Sequence, residues 1–86
     1  MPSTSPPNPR LHAFGLTVRR LREARGLSVE ELAENAGLSF RGLLYVEHGR
    51  RNPGLLTVFK IADGLGIGVG DLFGDRPAPE ESTERP

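Results

Sequence analysis

The stretch Leu27–Gly49, LSVEELAENAGLSFRGLLYVEHG, decides how this chain folds. Ser28 stands before an apolar-periodic run and is followed three residues later by Glu31, the spacing of a capping box. Leu32, Ala33 and Ala36 then recur on one face at helical period. Gly37 stops that helix and Ser39 caps the next, in which Leu43 and Val46 face inward. Gly49 is placed as the left-handed residue that ends it.

Two helices of under three turns around a Gly-containing turn are the build of a helix-turn-helix. That motif presents its second helix as a probe for the major groove of DNA. The charge distribution agrees. The 86 residues carry no net charge, but residues 10–60 hold nine basic against five acidic side chains and residues 61–86 hold two against six. The halves are therefore +4 and −4, and the basic half contains the probe.

Length and composition bound the rest. Eighty-six residues allow one small domain, near the lower limit for a self-sufficient core. Without cysteine there is neither a disulfide framework nor a Cys-containing zinc site, and the expected setting is reducing and cytoplasmic. No apolar run approaches a membrane span, and residues 1–9 lack the regions of a signal peptide. Residues 1–9 (MPSTSPPNP) are read as a disordered arm, 10–74 as the helix-turn-helix domain, and 75–86 (DRPAPEESTERP) as a disordered acidic, Pro-rich tail.

Five helices are expected. The first runs from about Leu11 to Arg25, buries Phe14, Val18 and Leu21, and ends at Gly26. The second and third are the pair already described. The fourth follows Asn52-Pro53-Gly54 and reaches Gly64 or Leu65, with Leu55, Val58, Ala62 and Leu65 on one stripe. The fifth is short, about Val69 to Phe73, and its Leu72 and Phe73 close the core from below. Gly66, Gly68 and Gly70 weaken it, each interior Gly costing about 0.5–1 kcal/mol relative to Ala.

The order of the motifs carries a resemblance. Leu-Arg-x-x-Arg-Gly-Leu-Ser at 21–28, Glu-x-Leu-Ala at 30–33, Ala-Gly-Leu-Ser at 36–39 and Glu-x-Gly-x-Arg-x-Pro at 47–53 follow one another at fixed spacing. In this the chain resembles the Cro/cI-type helix-turn-helix family, also called lambda-repressor-like or XRE-type, over roughly Phe14 to Phe73. The resemblance implies an all-α, compact five-helix lambda-repressor-like DNA-binding domain. It also implies a partly buried ion pair between Arg22 and Glu47, tying the first helix to the recognition helix.

Recognition is expected from the outward face of the third helix, helix 39–48. With Leu43 and Val46 inward, Phe40, Arg41, Leu44 and Tyr45 point out, and the resemblance makes these four the base-reading candidates. Arg41 has the chemistry to pair bidentately with guanine. Phe40 and Leu44 stand where the family commonly carries polar side chains, and Val29 replaces a frequent Gln. An exposed apolar stripe also suits a protein interface. The phosphate candidates are Ser28 and Ser39 at helix N-termini, Arg50, Arg51 and Asn52 after the recognition helix, Arg19 and Arg20 on the first helix, and His48. Leu56, Phe59, Ile67 and Val69 form the candidate homodimer surface.

No catalytic constellation is legible. His12 and His48 are isolated from any metal-binding spacing, and no Gly-rich phosphate loop follows a strand. No metal, cofactor or small-molecule ligand is expected. The expected function is a sequence-specific DNA-binding transcriptional regulator, a homodimeric repressor or autoregulator on a palindromic double-stranded DNA operator. The alternatives are a restriction–modification controller or antitoxin-type regulator, and, from another class, a protein-interaction module that kept the fold without DNA binding.

Overall fold

The computed structural model describes residues 8–73, so the arm before Asn8 and the tail 75–86 lie outside the described residues. Four α-helices follow in order: α1 (Pro9–Ala24), α2 (Val29–Ala36), α3 (Phe40–Glu47) and α4 (Leu55–Leu65). A 3-10 turn, Val69–Leu72, closes the sequence of elements. Among the described residues no helix is long and apolar enough to cross a membrane.

Each boundary has a local cause. α1 begins at Pro9, ahead of the expected Leu11, because Asn8 Oδ1 accepts from the backbone N–H of Arg10 at 2.8 Å and of Leu11 at 3.4 Å. Proline fits the first helical position, where its missing N–H would have no partner in any case. Ser28 Oγ accepts from the Glu31 N–H at 3.0 Å while Glu31 Oε1 accepts from the Ser28 N–H at 2.8 Å, a complete capping box for α2. Gly37 (φ +71°) ends α2 in the left-handed region, and its N–H and that of Leu38 close onto carbonyls of the last turn. Ser39 then caps α3 by accepting from the Gly42 N–H at 3.0 Å.

The core is built where these helices cross. Val18 of α1, Leu32 of α2, Leu43 and Val46 of α3, Ile61 of α4 and Leu72 are fully buried, and Ala33, Val58, Ala62 and Leu65 complete the cluster. Phe14 and Leu21 pack against it from α1. α2 packs on both α3 and α4, and α1 lies across α3. The crossing of α1 and α3 depends on Gly15: a Cβ there would collide with the carbonyl oxygens of Val46 and Glu47.

Three expectations need correction. Leu55 is not on the buried stripe of α4; it is 70% exposed, and Ile61 takes the place in the core that it was assigned. The buried positions are Val58, Ile61, Ala62 and Leu65, at i, i+3, i+4 and i+7, so the stripe starts one turn later. The fifth helix is not an α-helix. Its four residues form a single turn held by Asp71 N–H to Gly68 O at 3.0 Å and Phe73 N–H to Gly70 O at 3.1 Å. So short a segment, flanked and interrupted by glycine, lacks the length to propagate an α-helical ladder. Leu72 is buried as expected, but Phe73 is 63% exposed and stacks on Phe14 with ring centroids 5.4 Å apart.

Gly15→Ala should therefore force α1 and α3 apart. The expected loss is about 1–3 kcal/mol, the usual cost of overpacking a close contact. It is read as a lowered urea midpoint, and an unchanged midpoint would show that the crossing has slack.

Candidate nucleic-acid interface

The turn from α2 to α3 places α3 on the surface with one side committed to the core. Leu43, Val46 and Glu47 are buried; Phe40, Arg41 and His48 are exposed; Leu44 and Tyr45 are half-buried. At 100° per residue, Arg41, Tyr45 and His48 lie opposite the buried side, with Leu44 beside them. Phe40 opens the first turn of the helix and is 47% exposed.

The orientation of α3 is set by Arg22. Its Nε donates to Glu47 Oε2 at 2.7 Å and its Nη2 to Glu47 Oε1 at 3.1 Å, a two-pronged pairing. Both side chains are almost entirely removed from solvent. Nη1 donates to the Leu27 carbonyl at 2.7 Å, so one guanidinium joins α1, α3 and the segment entering α2. The hydrogen bonds to Glu47 raise the Arg22 pKa against the opposing effect of burial. The Leu27 contact has no sequence signal, since a backbone carbonyl carries no residue-type signature.

The basic candidates are distributed around α3. Arg50, Arg51 and Asn52 are exposed directly after it. Arg51 does not simply trail away: a Cβ built on Gly42 would lie 3.6 Å from Arg51 Nη1 and 2.9 Å from Ser39 Oγ. The Arg51 guanidinium thus rests against the first turn of α3. Ser28 and Ser39 each use the hydroxyl oxygen to accept from their own helix, which leaves the O–H proton to donate outward. On α1, Arg20 is exposed, while Arg19 donates to Glu23 at 3.1 Å in an exposed i,i+4 pair. His48 is the C-cap residue of α3.

The expected dimer candidates separate. Leu56 and Phe59 are exposed on α4, 75% and 44%, and Leu55 joins them on the same side. Ile67 and Val69 are instead half-buried against the core, because the chain after α4 turns back beneath it. A contact missed from the sequence is Arg25, whose Nε donates to the Leu65 carbonyl at 2.8 Å and so holds the C-terminus of α4 against α1. Among the described residues no group of three His, Cys, Asp or Glu side chains is placed to hold a metal ion.

Two short helices around a Gly-containing turn, with the second exposed along one side, define a helix-turn-helix protein. A family model described as Helix-turn-helix matches residues 18–72, and the chain belongs to that family, in its XRE-type branch. An uncharacterized HTH-type transcriptional regulator of Mycobacterium tuberculosis is 45% identical over 56 residues, 65% of this chain and 22% of the relative. The immunity repressor protein of Bacillus phage phi105 is 36% identical over 67 residues, 78% of this chain and 46% of the repressor. The chain therefore spans less than half the length of either relative. Among solved structures, the restriction-modification controller protein C.AhdI from Aeromonas hydrophila aligns with a TM-score of 0.76 at 41% identity. That alignment covers 77% of this chain and 100% of C.AhdI.

Glu47→Ala should leave the Arg22 guanidinium buried without its partner. The expected cost is about 3–5 kcal/mol, a large part of the stability of a domain this small. The paired change Arg22→Met with Glu47→Leu should recover most of it in urea denaturation. A double variant as unstable as Glu47→Ala would place the loss elsewhere than in the unpaired charge.

Proposed function

We propose that the protein is a sequence-specific DNA-binding transcriptional regulator, acting as a homodimeric repressor that lays α3 in the major groove. One observation carries this reading. A two-turn helix with Arg41 and Tyr45 on its outer side is locked by a buried ion pair and followed at once by Arg50 and Arg51. The lock supports recognition because base-edge hydrogen bonds are geometrically exacting, and a helix free to rock would lose them.

In this reading Arg41 pairs with guanine O6 and N7, Tyr45 donates to a base or a phosphate, and Phe40 and Leu44 line the apolar edge of the contact. Arg50, Arg51, Asn52, Arg20 and the outward O–H groups of Ser28 and Ser39 hold the phosphates on either side. Arg19 and His48 stand at the margins of that surface, Arg19 sharing its charge with Glu23. Leu55, Leu56 and Phe59 supply the contact between copies, and two-fold symmetry then sets half-sites about 34–36 Å apart. Ile67 and Val69 pack against the core instead. The relatives named as regulators and repressors favour the same assignment.

A restriction–modification controller is the second reading. It is favoured by the alignment with C.AhdI, which extends over the whole of that chain.

Selection of bound sequences from random duplex DNA with the purified protein should return a palindromic consensus. Arg41→Ala should weaken binding to it by about 1–3 kcal/mol and relax one position. Arg50→Ala should weaken all duplexes alike and reduce the salt slope by about one. Absence of salt-dependent binding to any duplex would overturn the proposal. Phe59→Asp should give a monomer by sedimentation with the helical content unchanged. A dimer that survives it uses another surface.

A further inference from the structure

We propose that Phe40 and Leu44 form an apolar edge on α3 that reads the 5-methyl groups of thymine in the operator; this rests on the DNA-binding reading above. Neither residue belongs to the core, which takes Leu43 and Val46 from the same helix. Phe40 keeps 47% of its surface exposed at the first helical position, and Leu44, four residues on, is half-buried on the same side of α3. Beside this apolar stripe runs the polar one of Arg41 and Tyr45, also four residues apart.

The two stripes have different partners in a major groove. Base edges there present hydrogen-bonding groups, which an apolar side chain would strip of water without replacing their bonds. The thymine 5-methyl is the apolar exception, and apolar side chains that enter the groove gain by covering it. Residues at the start of a recognition helix reach base edges, which puts Phe40 at the site of closest approach. Positions four apart on a helix are separated by about 6 Å along its axis. That distance is about two base-pair steps of 3.4 Å. The geometry therefore calls for a guanine opposite Arg41 with two thymine methyls about two steps apart beside it. The stripe is too small for a protein partner: two apolar side chains bordered on the helix by Arg41.

The test uses the full chain and the operator recovered by selection, with thymines replaced one at a time by deoxyuridine, which removes only the methyl group. Wild type should bind about fourfold more weakly at each contacted position, the value of one buried methyl. Phe40→Ala should bind the thymine and deoxyuridine forms equally at one of those positions, and Leu44→Ala at the other. Arg41→Ala should keep the full preference for thymine while binding more weakly overall. Phe40 is exposed and Ala is the better helix former, so loss of fold does not cloud the comparison. The proposal is overturned if wild type binds the fully deoxyuridine-substituted operator as tightly as the thymine form. It is overturned equally if Phe40→Ala keeps the preference and instead changes the sedimentation of the free protein, which would make the stripe a contact between copies. Wild type that binds no duplex in a salt-dependent manner removes the DNA-binding reading itself, a result distinct from binding that ignores the methyl groups.

Discussion

The pairing of Arg22 with Glu47 is the constraint on which the rest of this small domain turns. Apolar packing is non-directional, so Leu43 and Val46 alone would hold α3 against the core while permitting it to roll or slide. A guanidinium is planar and presents its donors in a fixed fork. With two prongs on Glu47 and a third on the Leu27 carbonyl, Arg22 defines the azimuth of α3 and its distance from the entrance to α2. Gly15 allows this, because α1 must come close to the backbone of α3 for the fork to reach. The pair need not add net stability over an apolar substitute of the same shape. Its contribution is direction, which a recognition surface needs more than another increment of burial.

α3 would not persist without that frame. Eight residues are too few for an isolated helix in water, and Gly42 in the second position after Phe40 lowers its propensity further. What holds it is external: the Ser39 cap at one end, the buried Glu47 at the other, and Leu43 and Val46 between them. Gly42 has a compensating effect. Its bare Cα leaves the space in which Ser39 Oγ and the Arg51 guanidinium lie against the first turn. A cation held there adds positive potential to a helix end that already carries a partial positive charge.

Much of this was legible in the amino-acid sequence because the signals were local. Ser28 with Glu31, Gly37 and Ser39 act within four residues of themselves, so their spacing alone specifies the two helices and the turn. The outward placement of Phe40 and Arg41 followed from the inward placement of Leu43 and Val46. Decisions that depend on the third dimension were not legible. Leu55 and Ile61 are both apolar residues of one helix, and only the height at which α4 enters the core distinguishes the exposed one from the buried one. Ile67 and Val69 looked free for a partner because nothing local says that the chain turns back under α4. Leu44 and Tyr45 are only half outward, a consequence of how closely α3 is seated. Arg25 gives no hint in sequence that it will hold the carbonyl of Leu65, forty residues away.

The apolar exposures on α3 and α4 differ in kind, and the difference follows from their neighbours. Leu55, Leu56 and Phe59 occupy the first two turns of α4, where apolar area is contiguous and the next charges are Lys60 and Asp63, of opposite sign. A like surface on a second copy can cover such a patch without desolvating an unmatched charge. Phe40 and Leu44 sit instead beside Arg41, so any partner covering them must also satisfy a cation. A second copy of α3 would bring its own Arg41 up to this one, at a cost in repulsion. A polyanion with apolar groups inset between its charges meets both demands at once. Duplex DNA, with phosphates at the groove rims and thymine methyls on the groove floor, has that arrangement. The same residues that make α3 look unlike a polar recognition helix are therefore compatible with groove binding because Arg41 stands beside them.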